Sequence, residues 1–183
     1  MKQMKQFTVT LVAVFLLLAS SLHVKAQTEF EEGQIAINAG IAYGFDIEEL
    51  GLRGGVTYFL NENMRVGGDL TYWLTDDHTE HYWGETYSYS WTALEINGNF
   101  HYLFYNEDDL IIYGIGALGI HYSRVSMDIP GYGSESSSDS ELGLGIGGGV
   151  EYNIGGFSLF AEPKLFLSGF DQLKLNIGVR YYL

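Results

Sequence analysis

The chain has 183 residues, 46% of them hydrophobic, a net charge of −14 and no cysteine. That apolar content excludes a disordered chain, and the missing cysteine excludes disulfides, cysteine-ligated zinc, thiol catalysis and a lipid anchor on an N-terminal cysteine. The acidic balance argues against a nucleic-acid partner, because such a surface repels a phosphate backbone.

The chain opens on an export signal. Lys2 and Lys5 form a positive start, Phe7 to Leu22 is an apolar run, and Val24 and Ala26 suit cleavage before Gln27. The run is short of the roughly 20 residues of a helical span. Residues 1–26 are therefore expected to be a signal peptide and 27–183 one barrel domain. Removing Lys2, Lys5 and Lys25 leaves 23 acidic residues against 6 basic ones. No second apolar helix follows, so any later membrane crossing must use strands. The 24 glycines, 14 tyrosines and only 2 prolines also suit strands better than helices.

After a polar lead from Thr28 to Gly33, apolar and polar residues alternate with period two. The first strand, Gln34 to Asp46, puts Ile35, Ile37, Ala39, Ile41, Tyr43 and Phe45 on one face. The second sets Leu50, Leu52, Val56, Tyr58 and Leu60 against Arg53, Gly55 and Thr57. The third sets Val66, Leu70, Tyr72 and Leu74 against Arg65, Gly67, Asp69 and Thr71. The fourth sets Leu94, Ile96, Phe100 and Tyr102 against Glu95, Asn97, Asn99 and His101. The fifth, Leu110 to Ser123, is apolar on both faces, and a bulge near Ala117 and Leu118 is expected there. The sixth sets Leu142, Leu144, Ile146, Val150 and Tyr152 against Glu141, glycines and Glu151. The seventh sets Phe157, Leu159, Ala161, Leu165 and Leu167 against Ser158, Glu162 and Lys164, and Pro163 predicts a bulge. The eighth sets Leu173, Leu175, Ile177, Val179 and Tyr181 against Lys174, Asn176, Gly178 and Arg180.

Connections alternate between tight turns (60–64, 105–109 and 155–156) and polar loops, of which Asp76 to Ser88 and Val125 to Asp139 are long. That alternation describes an all-β, eight-stranded antiparallel up-and-down transmembrane barrel. The stripes match the roughly 9–11 residues of a membrane-crossing strand, so the apolar face should look out to lipid. Aromatic belts are expected at Tyr58, Tyr102, Tyr152, Phe157 and Tyr181, and at Tyr43, Tyr72, Tyr89, Tyr122 and Phe170. Arg53, Arg65, Lys164, Lys174 and Arg180 should then pair with Asp69, Glu95, Glu151 and Glu162 in a narrow lumen. Eight strands leave room there for side chains, not for a channel. Phe59, Trp73, His101 and Phe160 are expected to help close it.

Signal, alternation and the ending Leu175-Asn-Ile-Gly178-Val-Arg-Tyr-Tyr-Leu183 resemble the small outer-membrane β-barrels of Gram-negative bacteria, the OmpA/OmpX-like or porin-like family. The resemblance covers Gln34 to Leu183. It implies outer-membrane lipids and the barrel assembly machinery as partners. Family members usually end in an aromatic residue; here Tyr181 and Tyr182 precede a final Leu.

Other motifs carry less. Gly114-x-Gly116-x-x-Gly119 and Gly143-x-Gly145-x-x-Gly148 match a dinucleotide fingerprint as text, but that loop needs a strand before it and a helix after it. Asp76, Asp77, His78, Glu80 and His81 are oxygen and imidazole donors in an acidic loop, and Ser134 to Ser140 suits a solvated tip. His121 and Ser123 with Glu135 or Glu141 resemble the constellation of outer-membrane lipid A deacylases, with Ser as nucleophile and His as base. No residue is assigned to catalysis, to a cofactor or to a metal. The expected function is a non-enzymatic barrel presenting acidic loops 76–88 and 125–139 for structural, adhesive or partner-docking work. The alternatives are an outer-membrane lipid hydrolase and a soluble periplasmic lipocalin-like carrier.

Overall fold

The structure, a computed structural model, describes residues 30–75, 78–82, 85–129 and 133–183. The expected signal peptide and its cleavage point lie outside these residues. Among the described residues nine strands follow in order: β1 (Ile35–Gly44), β2 (Glu49–Asn61), β3 (Met64–Leu74), β4 (His78–Tyr82), β5 (Glu85–Glu107), β6 (Leu110–Ile129), β7 (Gly133–Asn153), β8 (Phe157–Phe166) and β9 (Gln172–Tyr182). Every pairing is antiparallel. β1 pairs with both β2 and β9, and β3 pairs with β5 from Met64↔Tyr102 to Trp73↔Ala93, so eight strands close a barrel without edges. The ninth, β4, pairs only with β5 and stands above the barrel wall.

The period-two pattern sets which face is which. Ile37, Leu52, Leu70, Ile96, Leu118, Leu144 and Val179 are exposed on the outer wall, while Asn38, Arg53, Asp69, Glu95 and Arg180 are buried inside. An apolar exterior around a polar interior is the arrangement a bilayer stabilises, and it is the reverse of a soluble carrier barrel. Tyr58, Tyr102, Phe157 and Tyr181 are exposed at the short-turn end, as that belt requires; at the other end Tyr72 is exposed, Tyr43 and Tyr122 are half-buried, and the side chain of Tyr89 lies outside the described residues.

Phe170 departs from that expectation. It is buried, stacks on Phe166 at 4.7 Å and reaches His121 at 4.9 Å. Gly169, at φ +84, turns the chain inward, and a Cβ on Gly143 would meet the Phe170 ring at 2.8 Å. The ring therefore enters the space that a glycine leaves open.

The expected bulge at Ala117 and Leu118 is absent. β6 pairs with β7 in one register from Leu110↔Tyr152 to Ile129↔Gly133. The irregularity lies in β5 at Phe104, beside a short turn, where bulges concentrate. β6 is apolar on both faces because Ile111, Tyr113 and Ile115 belong to an interior apolar cluster. Pro163 makes no bulge either. Pairing of β7 with β8 skips two steps and resumes in the same register at Val150↔Ala161, while Pro163 pairs normally with Leu175 on β9. The lost ladder bond is absorbed without an inserted residue.

The expected loop 125–139 is mostly strand. β5, β6 and β7 continue past the barrel wall, with Ser90↔Ser126↔Ser136 and Thr92↔Arg124↔Ser138 directly opposite. Hydroxyl and β-branched residues pair well across strands even where no apolar face marks them. The stretch Ser134 to Ser140 is accordingly part of β7 rather than a loop tip, with residues 135–140 exposed to solvent. Likewise 78–82 and 85–89 form a hairpin.

Candidate functional site: the charged lumen and the sheet above it

Strand alternation sends one side chain inward every second residue, so each strand contributes to layers stacked along the barrel axis. At the short-turn end the layer is apolar. Phe30, Phe59, Leu103, Ile111, Tyr113 and Ile115 pack together, with Tyr182 against them. Phe30 lies in the lead that composition marked only as polar. Its ring stacks on Phe59 at 4.4 Å, and the amide of Gly33 donates to the carbonyl of Phe59.

The middle layers are charged. Arg65 donates to Glu151 at 2.9 Å, and Arg180 and the Tyr182 hydroxyl donate to the same carboxylate. Arg180 also reaches Glu162 at 3.1 Å, which accepts from Tyr113 at 2.9 Å. Arg65 Nε donates to His101 Nδ1 at 3.0 Å, which places the imidazole proton on Nε2. Arg53 bridges Asp69 at 2.9 Å and Glu162 at 3.1 Å. Lys164 donates to Asn99 at 2.7 Å and lies 3.5 Å from Asp69. Lys174 pairs with Glu95, and Asn97 links Glu95 to Asp69. The guanidiniums lie over rings, Arg65 at 4.3 Å from Tyr113 and Arg180 at 5.0 Å from Phe160.

All five bases and four acids singled out by alternation thus come together inside, every one buried. Inward glycines admit the larger neighbours. A Cβ on Gly149 would collide with the Tyr113 ring, so only glycine lets that ring cross to Glu162. Toward the other end Trp73, Ala42 and Ala93 pack with Ile47 and Trp91, and Phe166 and Phe170 pack on Ala117.

The other sequence candidates are dispersed. Gly114, Gly116 and Gly119 lie within β6, and Gly143, Gly145 and Gly148 within β7, with no helix after either among the described residues. His121 and Ser123 lie on the inner side of the upper rim, away from lipid. His121 sits opposite Glu95 and Glu141, but its Nδ1 has no hydrogen-bond partner among the described residues. Asp76 and Asp77 fall outside the described residues, as do the side chains of His78, Glu80 and His81. Sequence reasoning missed Phe30, Tyr113 and Tyr182 as interior residues, although their aromatic character beside tight turns and glycines was visible.

Charge is sorted by this fold. Five of the six Lys and Arg residues after the lead are inside; Arg124 alone is outside. Four of the 23 acidic residues join the lumen network. Of the other nineteen, those among the described residues occupy the lead, turns, loops and strand extensions.

A closed barrel with a lipid-facing apolar wall and an ion-paired interior defines a transmembrane β-barrel protein. A family model, the outer membrane protein beta-barrel domain, matches residues 12–182, and the chain belongs to that family. No curated protein matches it. Solved structures share the fold. The N-terminal β-barrel domain of OprF from Pseudomonas aeruginosa is 14% identical, with TM-score 0.60, covering 84% of this chain and 100% of that one. A major outer membrane protein from Thermus thermophilus is 12% identical, with TM-score 0.60, covering 81% and 99%. Ail, the attachment invasion locus protein of Yersinia pestis, solved with the heparin analogue sucrose octasulfate, is 17% identical, with TM-score 0.59, covering 83% and 99%.

Proposed function

We propose that this chain is a non-enzymatic outer-membrane barrel, its lumen closed by side chains, that docks an extended basic segment of a partner on its acidic upper sheet. The observation that carries this is an edge of β7 that has no partner strand among the described residues. Pairing with β8 ends at Gly145↔Phe166, and the last bond runs from the Leu167 amide to the Leu144 carbonyl, while β7 continues to Gly133. By antiparallel alternation the backbone groups of Ser136 and Ser138 then point off the sheet. The Ser140 amide is taken by Asp139 Oδ1 at 2.9 Å. An open edge adds a strand from another chain, and flanking Glu135, Asp139 and Glu141 favour basic side chains on it. The same carboxylates discourage self-pairing between copies. Ail holds an anionic heparin analogue; Glu135, Asp139 and Glu141 along this edge suit the opposite charge.

Two experiments test this reading. First, the mature protein is expected to begin at Gln27 and to need detergent for extraction, checked by N-terminal mass spectrometry and fractionation. Recovery in a soluble periplasmic fraction would end the membrane assignment. Second, Ser138→Pro removes an amide that serves only the free edge, so the barrel should fold normally. Binding of a Lys-Thr alternating octapeptide to the purified full chain should weaken about tenfold, the size of one lost charge-flanked hydrogen bond, and should fall with added salt. Unchanged binding in the variant would rule out edge docking.

A further inference from the structure

The outer wall changes character abruptly above the apolar belt. On β6, exposed Leu118 and Ile120 are followed outward by Tyr122, Arg124 and Ser126. On β7, Leu144 and Leu142 give way to Ser140, Ser138 and Ser136; on β5, Ile96 and Leu94 give way to Thr92 and Ser90. Register sets Arg124 between Thr92 and Ser138, two residues from the same-face row Ser90, Ser126 and Ser136. Its Nη2 donates to Ser136 Oγ at 3.2 Å. Glu135, Asp139 and Glu141 occupy the odd positions of β7, on the opposite face of the sheet.

Height decides what this patch meets. Arg124 is two residues beyond Tyr122, about 7 Å along the strand, or roughly 5 Å along the membrane normal at a tilt of about 45°. The polar layer on each side of the hydrocarbon is roughly 5–8 Å thick. With the expected belt residue Tyr122 as the edge of the hydrocarbon, Arg124 stands in the headgroup layer, as the one exposed Lys or Arg after the lead.

We propose that Arg124, with the hydroxyls of Ser136, Ser138 and Thr92 around it, binds the phosphate of a phosphorylated lipid headgroup in the leaflet at the loop end of the barrel. A guanidinium presents two parallel N–H groups to phosphate oxygens, and neighbouring hydroxyls donate to the remainder. Elsewhere the exposed charge is acidic and repels such lipids, so one phosphate is held at one place on the circumference. The proposal rests on the membrane-spanning fold and not on partner docking at the β7 edge.

The test uses the purified full chain in neutral detergent micelles, with diphosphoryl lipid A and its dephosphorylated form as probes and bound lipid counted by native mass spectrometry. The wild type should retain the phosphorylated form about tenfold better, the worth of one charge-assisted hydrogen bond. Arg124→Gln should abolish that preference, and Arg124→Lys should keep part of it. Heat-modifiable migration on gels reports that each variant is folded. Millimolar inorganic phosphate should not displace the lipid. Equal retention by wild type and Arg124→Gln overturns the site, and full displacement by inorganic phosphate overturns the lipid as its ligand. A wild type that is soluble without detergent would instead refute the membrane fold itself.

Discussion

Replacing Glu151 with alanine is expected to destabilise the barrel by about 3–5 kcal/mol, the cost of stranding a buried charge. Glu151 is fully buried and holds Arg65, Arg180 and the Tyr182 hydroxyl at once. Its loss leaves Arg65 without a carboxylate, held by the His101 nitrogen and the Tyr113 ring, while Arg180 keeps Glu162. The cost reflects removal of one partner, not the net worth of the network. Exchanging the whole set for well-packed apolar residues could be neutral, because desolvation of the charges offsets their attraction. Urea unfolding in micelles measures the difference. Glu95→Ala should cost less, since it strands one cation, Lys174, which still lies 5.0 Å from the Phe166 ring, and Asn97 keeps its bond to Asp69. A Glu151→Ala protein with unchanged urea midpoint would contradict an ion-paired lumen.

The second large effect is an absence of conductance. Eight-stranded barrels have interiors just wide enough for side chains. Here the apolar cluster around Phe59 and Tyr113, the charged layers from Arg65 to Lys174, and the Trp73 and Phe166 groups lie at successive heights. Purified protein in a planar bilayer should therefore be silent. Phe30→Ala should stay silent too, because it opens only the outermost apolar layer. Stable, reproducible single-channel steps from the wild type would show an open lumen and overturn the closed barrel. An open channel would give those steps.

Much of this was legible before any coordinates. Alternation in Ile35 to Tyr43 or Leu173 to Tyr181 assigns each side chain a face, because strand side chains repeat every two residues. That rule puts the nine charges on one face, and the stripe length with the aromatic belts turns that face inward. Where both faces carry similar residues the signal vanishes. Leu110 to Ser123 looked irregular because an apolar plug lies inside an apolar wall, and Val125 to Asp139 looked like a loop because both its faces are polar.

By itself the sequence determined the strand faces, the barrel class and the sorting of acids from bases, since these depend on local periodicity and composition. Only the tertiary structure decided which charges touch. Arg65 meets Glu151 across 86 positions and Lys164 meets Asn99 across 65, contacts that no local pattern encodes. It also decided that Phe30 and Phe170 turn inward, since each depends on a backbone turn at a positive-φ glycine, Gly33 or Gly169, and on an opening in the barrel mouth. The free edge of β7 is likewise a tertiary property. It exists because β8 ends where β7 continues, a difference in the lengths of neighbouring strands that neither strand's own sequence contains.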